Sequence, residues 1–348
     1  LYYSIFLFLV NTKFFIAFLF FIHYTLSGIE FTSANKNILG GILFMKYLII
    51  GAGGTGGTLG FYMTKAKKDV TLIARNEHLN VIKSKGLTLE KLWNHKKETI
   101  PVKAASMEEY QERPDVILVC VKGYSLDSVI PFIQKIAKPE TIVIPILNIY
   151  GTGGRMQKLL PKLSVMDGCI YVSANISSYG TILQHGEILR VVYGAGTPEE
   201  LRPELKEIQK DFFDSSIEGI LSDQIKRDTL KKFSYVSPIG AAGLYWQATA
   251  GEFQKEGEPR EMFKAMIREI SELAKAMGIP FEQDYVAINL DILSALPPET
   301  TTSMQRDVMA HKPSELEGLV FEVVRMGQKY HVPVPMYEKV AEKLKALI

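Results

Sequence analysis

The run Lys46-Tyr47-Leu48-Ile49-Ile50-Gly51-Ala52-Gly53-Gly54-Thr55-Gly56 constrains this chain more than any other stretch, because an apolar segment breaks there into glycines spaced G-x-G-x-x-G. The pattern predicts a strand, a tight turn and a helix start. Gly51 permits the turn, Gly53 lets backbone approach a pyrophosphate, and Gly56 lets the helix pack close to the strand. The helix start at Gly54 and Thr55 offers unpaired N–H groups to an anion. Taken alone, such a loop also serves strand-to-helix packing with no ligand.

The surroundings favour the nucleotide reading. Thr58 to Lys68 has helical character, and Val70-Thr71-Leu72-Ile73-Ala74 follows as a second apolar run. Together they complete a βαβ unit of about 30 residues. A site for NAD usually carries Asp or Glu at the end of that second strand, where it holds the ribose 2′-hydroxyl; here stands Arg75, followed by Asn76 and His78. A guanidinium suits a 2′-phosphate, so the expected cofactor is NADPH.

The length allows two ordinary domains, and 47% apolar residues supply a substantial core. A net charge of +2 gives no footprint for nucleic acid. Cys120 and Cys169 lie in apolar runs and read as buried thiols in a reducing, cytoplasmic compartment, with a single disulfide left open. No C-x-x-C or His/Cys cluster suggests a metal. Residues 1–44 differ in character, with a strongly apolar run from Ile5 to Tyr24 broken by Asn11, Thr12 and Lys13. We expect a misassigned start or a dispensable leader there, with a membrane anchor as the alternative, and a fold that begins near Met45.

Beyond the second strand and a lysine-rich excursion, buried-strand patterns return at Asp115 to Val121 and at Thr141 to Leu147. They end at Lys122 and Asn148. In an open parallel sheet the carboxyl ends of the strands form the ligand edge, which puts both residues beside the glycine loop. Singly, each is as well explained as a strand-end polar group meeting solvent. Cys169 to Ser173, Gly180 to Leu183 and Ile188 to Val192 suggest an antiparallel extension of the sheet, and Thr197-Pro198-Glu199-Glu200 suggests a helix start. From Ser222 the periodicity is helical, with amphipathic stretches at Arg260 to Met277 and Glu315 to Tyr330. The expected architecture is an α/β, Rossmann-type dinucleotide-binding domain over 45–221, an all-helical domain over 222–348, and a cleft between them.

Several stretches together resemble the ketopantoate reductase (2-dehydropantoate 2-reductase) family: Met45 through Leu79, Val121-Lys122-Gly123, Thr302-Ser303-Met304-Gln305-Arg306-Asp307-Val308, Ser314-Glu315-Leu316-Glu317 and Val332-Pro333-Val334-Pro335. The resemblance covers nearly everything after residue 44. It implies a 6-phosphogluconate dehydrogenase-like fold and NADPH-dependent reduction of a 2-keto acid in the cleft, with ketopantoate giving pantoate for pantothenate and coenzyme A synthesis. It also implies roles for single residues. Lys232, in the context Lys232-Phe233, stands where the family has its general acid, and reduction of a ketone requires such a group to protonate the oxygen. Glu315 stands where a carboxylate meets that lysine or the substrate hydroxyl, Ser303 where the substrate carboxylate is bound, and Asn148 and Lys122 where strand ends meet the ligands. Ser314-Glu315-Leu316-Glu317 also reads as a helix-capping box, which would hold Glu315 ionised.

The sequence departs from the family where the substrate is recognised. Positions that carry substrate-facing asparagines in ketopantoate enzymes hold Val236, Gly240 and Ala250, and Ile149-Tyr150-Gly151-Thr152-Gly153-Gly154 is altered. Ser237, Tyr245, Trp246 and Gln247 lie in the same segment; Ser237 is a candidate substrate contact, and the aromatic pair reads equally as core. The sequence therefore supports the family's chemistry, either on ketopantoate or on a different keto or imino acid. A non-catalytic NADPH-binding regulator is the alternative of another class. The expected assembly is a monomer or homodimer, with no nucleic acid and no membrane unless the leader is real.

Overall fold

A computed structural model describes residues 45–345, together with an antiparallel pair of two-residue strands, Ile38–Leu39 and Ile42–Leu43. The expectations for residues 1–44 otherwise lie outside the described residues. The chain divides into two units at Phe44 and Met45.

The unit from Met45 opens on β1 (Lys46–Ile50), the glycine loop, α1 (Gly54–Lys65), β2 (Asp69–Ile73) and α2 (Asn76–Lys85). A hairpin of β3 (Leu87–Lys91) and β4 (Lys96–Ile100) precedes β5 (Lys103–Ala105) and β6 (Val116–Val119). Then come α3 (Leu126–Ile136), β7 (Ile142–Pro145), α4 (Thr152–Leu159) and β8 (Ser164–Val165). The parallel sheet has the order β5-β2-β1-β6-β7-β8, in which the direction of winding reverses between β1 and β6. That reversal opens the ligand crevice at the carboxyl ends of the strands.

Alternation along these strands builds two cores. Tyr47, Ile49, Val116 and Leu118 face one cluster, while Leu48, Ile50, Ile117 and Val119 face the other. Both faces are covered, so the strands read as unbroken apolar runs.

The expected antiparallel extension of this sheet takes another form. β9 (Asp167–Tyr171), β12 (Arg190–Gly194) and β13 (Glu218–Leu221) make a separate three-stranded sheet. β10 (Ala174–Ser178) and β11 (Thr181–Gln184) join β3 and β4 in a four-stranded one. The helix expected at Thr197 is a single 3₁₀ turn, Pro198–Glu200, in which the Glu200 carboxylate accepts from the Gly196 and Thr197 N–H groups; α5 (Glu204–Asp214) starts after Pro203.

From Ile225 the regular elements among the described residues are all helices: α6 (Ile225–Trp246), α7 (Ala250–Gln254), α8 (Glu258–Ala276), α9 (Tyr285–Ser294), α10 (Ser303–Met309), a π-turn at Glu317–Phe321 continuing as α11 (Glu322–Tyr330), and α12 (Pro335–Leu344). Phe233, Phe263, Met266, Ile270, Val320, Val323 and Tyr337 share a third core, and burying each such side chain stabilises by roughly 1.5–3 kcal/mol. Glu269, buried in α8, accepts from the Met336 and Tyr337 N–H groups and so caps α12. Among the described residues no helix is long and apolar enough to cross a membrane.

Candidate active site

The glycine loop has the geometry its spacing demands. Gly51 holds φ +103°, open to glycine at little cost, and its N–H and that of Ala52 donate to the Ile73 carbonyl. A Cβ on Gly56 would sit 2.0 Å from the Gly51 carbonyl oxygen, so this glycine is required for the helix to start close to β1. Around Gly53, by contrast, nothing among the described residues lies within 4 Å of where a Cβ would be. The backbone there is open to a ligand, and the first turn of α1 carries no acidic side chain. Gly54 has a different reason to be glycine, because a Cβ there would meet the Ala174 carbonyl at 2.2 Å. Thr55 lies half-buried in the same first turn.

His78 holds this loop in place, a role that its position in the sequence does not reveal. Its Nε2 lies 2.9 Å from the Ala52 carbonyl, and its Nδ1 accepts from the Gly180 N–H at 3.0 Å. That pairing assigns the Nε2–H tautomer. Arg75 stands at the N-cap of α2, exposed, with no ion pair among the described residues. An anion would find the loop's N–H groups and this guanidinium on one edge, which fits the phosphates of a dinucleotide.

Two lysines converge on the same edge in opposite electrostatic settings. Lys122, just after β6, donates to Asp307 Oδ2 at 3.1 Å and Glu315 Oε2 at 3.4 Å. Burial works against its charge, but the two carboxylates outweigh that and raise its pKa. Lys232, on α6, is only 8% exposed, and its Nζ donates to Asn148 Oδ1 at 2.6 Å. Among the described residues no carboxylate pairs with it directly. The Tyr171 ring lies 5.9 Å away, and burial lowers the lysine pKa against weaker opposing contributions from Cys169 and Glu315.

Glu315 is 4% exposed, and its Oε1 accepts from the Gly123 N–H at 3.1 Å. Its hydrogen bonds therefore go to Lys122 and Gly123, not to Lys232. The capping box expected at Ser314 does not form: the Glu317 carboxylate pairs instead with Arg325, and the chain enters the π-turn there. Such turns are frequent at functional sites. Ser303 opens α10 under a capping box made by Thr302 and Gln305. One turn later on the same stripe is Asp307, the partner of Lys122, whose role only this contact reveals.

Ser237 is a correction. It is wholly buried, its Oγ donating to the Leu319 carbonyl at 2.5 Å and sharing a bond with the Tyr337 hydroxyl at 2.5 Å. Five residues beyond Lys232, it is turned about 140° around the helix, away from the cleft. The stripe that does continue from Lys232 is Val236, half-buried, and Gly240, where a Cβ would meet Met304 Cε at 2.8 Å. Ala250 is buried, its N–H bonded to the Thr300 carbonyl. Tyr245 and Trp246 pack edge-on at the far end of α6, where Lys343 and Lys339 lie over the tyrosine ring. Both cysteines are free thiols.

Comparison with known sequences follows this geometry. The pattern of the ketopantoate reductase PanE/ApbA family matches residues 47–198, and that of the family's C-terminal part matches residues 224–347. The chain belongs to the ketopantoate reductase family. Family members are nicotinamide-dependent oxidoreductases that act on small keto or hydroxy acids. An uncharacterized oxidoreductase of Bacillus subtilis, YkpB, is 23% identical over 86% of this chain and 98% of its own length. The 2-dehydropantoate 2-reductase of Aquifex aeolicus is 23% identical over 87% and 97%. In three dimensions the 2-dehydropantoate 2-reductase of Methylococcus capsulatus superposes with a TM-score of 0.77 at 22% identity, covering 87% of this chain and 96% of that one. A D-mandelate dehydrogenase, solved with NADH and anilino(oxo)acetate, superposes at 0.78 and 22% identity, covering 87% and 98%.

Proposed function

We propose that this chain catalyses NADPH-dependent reduction of a 2-keto acid to a 2-hydroxy acid, with 2-dehydropantoate the first substrate to try. Residues 45–221 would bind the cofactor, and residues 222–348 would supply the proton and most of the substrate contacts. The observation that carries the reading is the divergence of the two cleft lysines. One is held charged by two carboxylates; the other is buried, holds a single neutral acceptor and gives up its proton more readily. Pairs of groups whose surroundings push their pKa values apart mark acid and base assignments.

Bound NADPH would supply the hydride. The loop from Gly51 to Gly56 would hold its pyrophosphate and Arg75 its 2′-phosphate. As negative charge develops on the substrate oxygen, the Lys232 ammonium stabilises it and transfers a proton, while Asn148 keeps Nζ aimed into the cleft. Ser303 would hold the substrate carboxylate. Glu315 would act less directly, by fixing Lys122 and the Gly123 backbone beside the nicotinamide.

A second substrate class is favoured by one feature, the stripe of Val236 and Gly240 beyond Lys232, with Met304 filling the space at Gly240. It carries no amide where one would recognise a hydroxyl, which suits a keto acid with an apolar side chain. The test is NADPH oxidation by the chain from Met45, with 2-dehydropantoate and a panel of aliphatic and aromatic 2-keto acids, and with Lys232→Ala as control. Turnover lost in the variant supports the reading. NADPH binding with no turnover on any keto acid refutes it in favour of a non-catalytic NADPH-binding protein.

A further inference from the structure

Asn148, Ile149 and Tyr150, which follow β7, are each tied down. Asn148 accepts from Lys232, the Ile149 carbonyl accepts from Thr152 Oγ1 at 2.7 Å, and the Tyr150 ring packs 6.1 Å from that of Phe233. Between these ties the Ile149 side chain reaches across the cleft. A Cβ on Gly123 would meet Ile149 Cδ1 at 2.1 Å, and one on Gly318 would meet Cδ1 at 2.3 Å and Cγ1 at 2.6 Å. Gly123 belongs to the α/β part and Gly318 to the π-turn of the helical part. The isoleucine thus fills a socket that exists only because both positions lack a side chain.

The socket is continuous with the catalytic contacts. Gly123 donates its N–H to Glu315, three residues before Gly318, and Ile149 follows the asparagine that holds Lys232. Any change in the gap between Gly123 and Gly318 must move Ile149, and Asn148 with it, because interiors packed this closely transmit displacement. Resting on the reading of Lys232 as proton donor, we propose that Ile149 is a positioning residue. Its seating between Gly123 and Gly318 sets the separation of the two halves at which Asn148 meets the Lys232 ammonium.

The test is a suppression experiment. Gly123→Ala forces Ile149 from its socket, and kcat should fall by about 10²-fold, the scale of a 1 Å misplacement. Ile149→Val deletes Cδ1 and leaves Cγ1 at 3.5 Å from the new methyl, an ordinary contact, so the double variant should recover most of the loss. Failure of Ile149→Val to rescue would overturn the proposal, because the alanine would then be acting on the cofactor or on folding. Ile149→Ala provides a second route without a clash. It should lower kcat more than it raises KM for the keto acid, and should speed acylation of the Lys232 amine, followed by peptide mass spectrometry, by about tenfold as the amine loses its fixed partner. Unchanged labelling with an unchanged pH profile would also overturn the proposal. Absence of turnover in the unaltered chain would refute the functional reading separately, and the labelling comparison would still decide for or against Ile149.

Discussion

Lys232 Nζ donates to Asn148 Oδ1 at 2.6 Å, a charge-assisted hydrogen bond to a neutral acceptor that joins the first long helix of the helical part to the strand end of the α/β part. A buried ammonium with no carboxylate partner weakens the fold. Burial lowers its pKa below the ordinary 10.5, so between those two values the unfolded chain binds more protons and stability rises with pH; below the folded pKa the full cost is present. Lys232→Met should therefore melt no lower than the unaltered chain at neutral pH, yet lose about 10²–10⁴-fold in kcat, the usual worth of a general acid. Melting curves and NADPH oxidation check both halves. A large loss of stability together with activity would mean that the lysine is structural.

The same bond sets a pH dependence. With Lys232 as the proposed proton donor, reduction needs it protonated, so the rate should fall as pH rises through its pKa. Asn148 accepts from the charged form and favours it. Asn148→Ala should move the alkaline limb of the kcat profile to lower pH, while the affinity for NADPH changes little. A limb that stays put, or moves up, would remove Asn148 from this role.

Two glycines of one loop should fail in different ways. A methyl on Gly56 would lie 2.0 Å from the Gly51 carbonyl, so Gly56→Ala should destabilise the fold by about 1–3 kcal/mol or more. Gly53→Ala has open space and should fold normally, yet lose nucleotide binding, because its methyl occupies the approach of the pyrophosphate. Thermal melting with and without NADPH separates the two outcomes.

Much of the fold was readable because its central strands are buried on both faces, and such strands read as unbroken apolar runs. The hairpin of Leu87–Lys91 and Lys96–Ile100 was missed for the opposite reason. Lys96, Lys97, Glu98 and Thr99 are all exposed, so its outer strand carries no apolar period to detect. At the site, Lys232, Glu315, Asn148 and Lys122 do converge on one edge, but their pairing was not legible. Glu315 sits with Lys122 and Gly123 just before a π-turn, where a regular capped helix was expected. Ser237 was misjudged from closeness along the chain, whereas a helix turns it into the core. Ile149 could not be found from sequence, since what defines it is the absence of side chains at two distant glycines.

Arg75 gives a test of cofactor choice. It is exposed at the end of the second strand and engaged with no carboxylate among the described residues, so its guanidinium is available to a 2′-phosphate. NADPH should bind at least about tenfold more tightly than NADH, a difference of about 1.4 kcal/mol, and Arg75→Ala should remove most of that preference. Equal affinities in the unaltered chain, measured by fluorescence titration, would sink the assignment.

If the proposed function holds, substrate choice should respond to Val236, one helical turn beyond Lys232 and half-buried against the helical core. Val236→Asn returns an amide to a position where the ketopantoate resemblance implies a substrate-facing asparagine. If the missing amide limits recognition of a hydroxylated side chain, kcat/KM for 2-dehydropantoate should rise by about tenfold, the worth of one hydrogen bond to a buried partner. The same change should lower kcat/KM for an apolar 2-keto acid, because the amide would be desolvated there with nothing to pair with. The opposing directions are what make the measurement informative: a fall on both substrates would indicate damage to the helix, and no change on either would show that position 236 does not face the substrate.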